Sequence, residues 1–297
     1  MVELERHRKE LAGYCYRMLG SGFEAEDAVQ ETLTRAWKTF DPERGALRPW
    51  LYGIATNVCV DMLRSAQRRA RAMDLGPAAE PGAELGVPIP YERWVYPMPD
   101  QLMDPAELAV SRESVRLAFV AALQHLPPRQ RAVLILRDVL AWSAAEVANL
   151  LETSVAAVNS ALQRARAALP ATAEPRLEVD EDLLARYVDA FERFDVDTLV
   201  ALTHEDAVES MPPFAWWLAG RAAMREVLVA SGGDGCRGSR LVRAGATTFG
   251  QYLNGEAFAI VILETSGGLI RGTTTYLDPS LFPLYDLPMS FGGPDRK

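Results

Sequence analysis

The sequence predicts a multidomain protein, two all-α domains followed by one α+β domain. Three observations carry this reading. Apolar residues at helical spacing dominate the first 170 positions. A Pro- and Gly-rich stretch between Gly76 and Pro99 interrupts them, and alternating apolar runs of strand type replace them beyond Val179. A length of 297 residues exceeds what one hydrophobic core usually organises.

The elements follow in order. Ser21-Gly22-Phe23-Glu24 has the S-x-x-E form of a helix start, and Ala25, Ala28, Val29, Leu33, Ala36 and Trp37 then mark an apolar stripe. Asp41-Pro42 breaks the run. A second helix is expected from about Pro49 to Arg71, with Trp50, Leu51, Ile54, Ala55, Val58 and Met62 on its apolar side. Asp104-Pro105-x-Glu107 opens a helix that stops at Pro127-Pro128. Arg129–Leu140, a capped helix from Ser143 to Glu152, and a last helix from Ser154 to Leu169 complete a helix-turn-helix pattern. Pro170 to Pro175 reads as a tether. The final domain should hold a helix at 180–194, a segment near Val208–Met211, a helix near Arg221–Val229 and an antiparallel sheet from runs at 239–249, 257–264 and 269–277.

Composition excludes several classes. The hydrophobic share of 49% and charged share of 24% are those of a globular protein. No apolar run reaches about 18 residues, so no membrane span is expected. The charged start MVELERHRKE is not a secretory signal, and three scattered cysteines, Cys15, Cys59 and Cys236, form neither a zinc pattern nor a disulfide framework. A cytoplasmic protein without metal or cofactor is the expectation. Net charge is −9, yet it divides into +2 over residues 1–71, −5 over 72–112, +2 over 113–169 and −8 thereafter. The mildly basic blocks could not hold DNA by phosphate neutralisation alone, so a partner must supply part of any such affinity.

The last helix puts Val155, Val158, Leu162, Ala165 and Leu169 on one stripe. Its other face offers Ala156, Ala157, Asn159, Ser160, Gln163 and Arg164, side chains able to read base edges in a major groove. On the helix after Ser21, Glu24, Asp27 and Glu31 share a face with Gln30 beside them, either a solvated face or a surface for a basic partner. Asn57, Asp61, Arg64, Arg68, Arg69 and Arg71 give the next helix a polar, then basic, outer side. With Trp50 and Tyr52 interleaved, that side suits single-stranded DNA. His204, Asp206 and Glu209 are close enough in sequence for an acid/base pair, although solvated side chains are the commoner outcome, and no catalytic site is expected.

Tyr16-Arg17-Met18-Leu19-Gly20, Ala25-Glu26-Asp27-Ala28-Val29-Gln30-Glu31-Thr32, Arg48-Pro49-Trp50-Leu51-Tyr52 and Asp61-x-x-Arg64 resemble region two of the extracytoplasmic-function sigma factors. Leu126-Pro127-Pro128-Arg129-Gln130-Arg131 and Val158-Asn159-Ser160-Ala161-Leu162-Gln163-Arg164-Ala165-Arg166 resemble region four. The resemblance implies region two at 1–72, a linker at 73–104 and region four at 105–170. It also implies that Glu24, Asp27, Gln30 and Glu31 dock on core RNA polymerase and that Asn57, Asp61, Arg64 and Arg68 bind the minus-ten strand. Ala156, Ala157, Asn159, Ser160, Gln163, Arg164 and Arg166 would read the minus-thirty-five element, and the acidic linker would thread basic channels of the polymerase. Family members often carry Lys and Arg where this chain has Asn159 and Ala161, which implies weaker phosphate contacts.

Met211-Pro212-Pro213-Phe214, Trp216-Trp217, Gly220-Arg221 and Asp278-Pro279-Ser280-Leu281-Phe282 resemble a sigma subgroup with a fused SnoaL-like cone at 178–291. That resemblance implies a regulatory domain whose cone could take a small-molecule ligand. Two other readings compete: a ligand-responsive helix-turn-helix regulator acting on duplex DNA alone, and a SnoaL-like isomerase or cyclase with an accessory helical region.

Overall fold

The computed structural model describes residues 2–39, 46–64, 69–104, 117–169, 179–234 and 236–290. Two compact units divide the chain. One joins Met1–Ala70 to Glu92–Ala173, and the other joins Arg71–Tyr91 to Glu174–Lys297. Arg68, the breaker Asp41-Pro42, the tether at 170–175 and the helix start at Pro105–Glu107 fall outside the described residues.

The first unit is helical. Its elements are α1 (Val2–Glu5), α2 (Arg8–Leu19), α3 (Gly22–Thr39), α4 (Leu47–Leu63), α5 (Leu117–Leu123), α6 (Pro128–Leu134), α7 (Ala144–Leu150) and α8 (Val155–Ala168). Gly20 ends α2 in the left-handed conformation, φ 78°, with its N–H donating to Tyr16 O. A Cβ at Gly20 would also lie 3.1 Å from the side chains of Arg69 and Gln124, so both backbone and space require glycine there. Ser143 caps α7 through the box expected with Glu146, and Ser154 caps α8 by accepting from Ala157 N. After α6 the chain makes one π-turn, Ile135–Val139, and Ala141 at φ 56° reverses it toward Ser143.

Several sequence expectations change here. The helix expected to reach Arg71 ends at Leu63 among the described residues. Trp37, placed on the apolar stripe, is 51% exposed. Within residues 73–104, expected as a linker, Trp94, Val95, Tyr96, Met98 and Met103 are buried in the first unit, and Arg71–Tyr91 groups with the carboxyl-terminal residues. A solvated linker would expose those aromatics at a hydrophobic cost, and packing removes it.

Among its described residues the second unit contains α9 (Glu181–Arg193), α10 (Val196–Ala201), α11 (Arg221–Ser231) and six strands. The strands are β1 (Thr203–Ser210), β2 (Trp217–Ala219), β3 (Ser239–Arg243), β4 (Thr248–Leu253), β5 (Glu256–Ser266) and β6 (Leu269–Tyr276). Their order is β2-β1-β6-β5-β4-β3. The sheet is mixed rather than wholly antiparallel, since β1 lies parallel to β6. The apolar run at 239–249 is not one strand but two, separated by a turn at 244–247. Asn254-Gly255 (φ 53° and 87°) and Gly267-Gly268 (φ 60° and 72°) supply the positive-φ pairs for the tight hairpins on either side of β5. Leu183, Leu184, Tyr187, Leu199, Phe249, Val261, Leu263 and Ile270 form the core between helices and sheet. Within this unit Trp217 Nε1 donates to Gly76 O at 2.9 Å, Ala79 N to Trp217 O at 2.7 Å and Ile89 N to Pro213 O at 2.7 Å, so one indole and two main-chain bonds hold residues 76–89.

Candidate nucleic-acid interface

The face of α8 is set by which of its residues pack. Val158, Leu162 and Ala165 are buried, whereas Ala156, Ala157, Asn159, Ser160, Gln163, Arg164 and Arg166 are exposed. Val155, expected on the buried stripe, is 44% exposed at the first turn. Arg164 Nη1 donates to Ser160 Oγ at 2.6 Å, one turn back along the same face. Arg166 instead makes a two-pronged pair with Asp138, 2.8 and 2.7 Å, which turns its guanidinium toward the π-turn. The small side chains near the amino end leave room for a groove wall to approach the backbone.

On α3, Asp27, Gln30 and Glu31 are exposed. Glu24, expected on the same surface, is half-buried. Its carboxylate pairs with Arg69, which is 3% exposed and also donates from Nη1 to Trp94 O at 2.9 Å. The helical spacing that put Glu24 with Asp27 and Glu31 says nothing about a buried guanidinium arriving from 45 residues away. Arg69, read from sequence as a member of a basic outer face, is therefore a structural residue. A groove of about 440 Å³ runs beside Gln30, lined by Leu4, Leu33, Thr34, Trp37 and Lys38.

On α4, Asn57, Asp61 and Arg64 are exposed, and Arg64 lies 3.4 Å from Asp61. Tyr52 cannot offer its ring to a nucleobase in this arrangement, because it is buried between Tyr14, at 5.1 Å and 60°, and Trp142, at 5.0 Å and 54°. Trp50 is half-buried.

A cluster that sequence reasoning missed ties these elements together. Arg131 of α6 is 4% exposed. Its guanidinium donates to Met18 O, to Gln124 Oε1 at 2.7 Å, to Gln124 O at 3.2 Å and to Leu126 O at 3.1 Å. Burial without a carboxylate partner pulls its pKa down to about 10. The signal was an arginine directly followed by the uninterrupted apolar run Ala132–Leu136. Cys15 and Cys59 are free and buried, and the Cys15 thiol is pushed up by its hydrogen bond with Cys59 and by burial, which makes it unreactive.

In the second unit the trio His204, Asp206 and Glu209 separates. Asp206 is exposed at the start of β1 beside a half-buried His204, whose Nδ1 accepts from Asp206 N at 3.1 Å, while Glu209 lines a cleft beneath the helices. Ligand atoms of His204, Glu205 and Asp206 lie within 4.8 Å of one another, largely at the surface.

Residues 4–69 match the family described as Sigma-70 region 2, and residues 116–169 match Sigma-70, region 4. The chain is 44% identical to the ECF RNA polymerase sigma factor SigG of Mycobacterium tuberculosis, over 96% of this chain and 83% of that protein. It is 32% identical to SigJ of the same organism, over 69% of this chain and 62% of SigJ. The chain belongs to the extracytoplasmic-function sigma factors. The crystal structure of the M. tuberculosis SigJ shares its fold along almost the whole length, with a TM-score of 0.65 at 24% identity, covering 97% of this chain and 99% of SigJ.

As a sigma factor the chain is a non-enzymatic transcription-initiation factor that binds core RNA polymerase and promoter DNA. Its helical regions two and four lie in one unit, and an α+β domain follows them. Among the described residues no helix is long and apolar enough to cross a membrane.

Proposed function

We propose that this sigma factor acts in the cytoplasm, docks on core polymerase through Asp27, Gln30 and Glu31 of α3, engages the minus-ten strand through Asn57, Asp61 and Arg64, and reads the minus-thirty-five element with α8. Its α+β domain regulates that engagement. The observation that carries the reading is the division of α8 into a buried stripe and an exposed face of small and amide side chains ending in Arg164. The groove beside Gln30 and the exposed Trp37 support the docking role of α3.

Geometry adds one requirement. Promoter elements some 25 base pairs apart are separated by roughly 85 Å at about 3.4 Å per base pair. A compact unit of about 150 residues has a radius of gyration near 15 Å. Regions two and four in one such unit cannot reach both elements, so they separate when polymerase is bound. The clamp to be released is the Tyr52–Trp142 contact and the Arg131–Met18 bond.

The test is transcription in vitro with purified bacterial core polymerase and a promoter library. Initiation at a defined promoter that depends on this protein, with shifted selectivity when α8 is changed, is the expected result. Binding to duplex promoter DNA without polymerase would favour a one-component regulator instead.

A further inference from the structure

α8 carries two cations, Arg164 and Arg166, and they stand on different parts of its surface. Arg166 follows Asn159 by seven residues and Gln163 by three, so the three share one line along the helix. That line borders the buried stripe of Val158, Leu162 and Ala165. A helix seated in a major groove turns the middle of its outer face to base edges, and its flanks run beside the sugar-phosphate strands. Arg166 stands on such a flank, where a cation meets phosphate rather than a base.

The guanidinium is already engaged. Asp138 takes it with both carboxylate oxygens, Oδ2 accepting from Nε at 2.8 Å and Oδ1 from Nη2 at 2.7 Å. Asp138 lies in the π-turn Ile135–Val139, where Leu140 N donates to Ile135 O at 2.9 Å, five residues back. The extra residue shifts the side chains of the turn relative to an unbroken α6, and turns of this kind are frequent at functional positions. The neighbouring Arg137 donates to Trp142 O, so the turn is fixed on its other side too. Both members of the Asp138–Arg166 pair are exposed, and exposed pairs add little to stability. The consequence of this one is electrostatic: it cancels one of the two positive charges of α8.

A phosphate that claims Arg166 must displace a carboxylate tethered beside it at high effective concentration. It then leaves Asp138 unpaired, next to a charge of its own sign. We infer that Asp138 sets how tightly α8 holds duplex DNA, by keeping the guanidinium of Arg166 from the phosphate backbone at the flank of the groove. Asp138 is a positioning residue, acting on DNA through Arg166. The free chain then grips duplex weakly, and promoter contact depends on polymerase to place α8. The inference rests on the reading of α8 as the helix that enters the major groove at the minus-thirty-five element.

The experiment uses the full chain and a fluorescein-labelled duplex pool of randomised sequence, with anisotropy read over a series of salt concentrations. Asp138→Asn frees one cation, so it should bind the pool roughly fivefold to tenfold tighter at about 0.1 M salt. The plot of log affinity against log salt should steepen by about 0.9, a change that a merely structural role would not produce. In an Arg166→Gln background the same substitution should lose most of that gain, because no guanidinium is left to free. Circular dichroism and melting temperature should stay close to wild type in these variants, since both positions are exposed. Unchanged affinity and slope for Asp138→Asn, or an undiminished gain in the Arg166→Gln background, overturns the inference. Transcription by holoenzyme from a promoter library, with Gln163 and Arg164 changed to Ala, tests the underlying reading separately. If selectivity shifts there while Asp138→Asn binds the pool no tighter, only the inference fails. If selectivity does not move, the reading of α8 fails and the inference falls with it.

Discussion

The ring of Tyr52 in α4 and the ring of Trp142 before α7 pack 5.0 Å apart at 54°, and the guanidinium of Arg48 lies 5.3 Å from both ring centres. Region two and region four are thus joined by an aromatic pair with a cation over it. Arg48 also bonds to Glu10 at 2.7 Å. Replacing Arg48 by Ala should remove about 1 kcal/mol from this contact while leaving both helical cores intact. The expected outcome is a red-shifted Trp fluorescence spectrum and faster association with core polymerase. An unchanged association rate would show that the contact does not gate binding.

The buried guanidinium of Arg131 is a second link between the regions. Arg131→Ala would leave the carbonyls of Met18, Gln124 and Leu126 without this donor. Buried polar groups so orphaned cost about 1–3 kcal/mol, and the urea midpoint should fall accordingly. Arg131→Lys should rescue little, because an ammonium cannot reach divergent acceptors as a planar fork does.

Asp27 and Glu31 are exposed, so reversing both to Lys should leave the circular dichroism and melting temperature nearly unchanged. A pull-down with core polymerase should then lose the complex. Glu24→Lys should behave differently: it removes the carboxylate partner of buried Arg69 and should lower the melting temperature measurably. A folded Glu24→Lys protein with wild-type stability would show that this pair does not support the fold.

Gln163 and Arg164 face outward on α8, and each bidentate base contact is worth roughly 1–3 kcal/mol of discrimination. Changing both to Ala should flatten minus-thirty-five preference by about tenfold or more across a promoter library, with core affinity unchanged. Identical selectivity would remove α8 from sequence reading.

Glu209 makes the second unit pH-sensitive in a defined sense. Its folded pKa of about 7 lies above the ordinary 4.5, so the native state holds its proton more tightly than the unfolded chain does. The stability gained from that proton is complete below pH 4.5 and is lost as pH rises through 7. Glu209→Gln should flatten the stability curve across that window and leave the protein more stable than wild type above pH 7. Chemical denaturation at a series of pH values reads this directly.

Sequence alone determined the local features: the capped helix starting at Ser143, the last helix from Ser154, the stripe Val158-Leu162-Ala165, and the motifs that carry the family resemblance. These depend on residues within a few positions of one another, where spacing and backbone preference are decisive. The tertiary structure decided what distant residues do. It paired Glu24 with the buried Arg69, exposed Trp37, buried Tyr52 against Trp142, held residues 76–89 in the second unit, and turned Glu209 away from Asp206 into the cleft. The physical reason is that periodicity assigns a side chain to a face of its own helix or strand. Whether that face meets water, a guanidinium or another ring depends on segments tens of residues away, and on the cost of leaving charge or apolar surface unmatched.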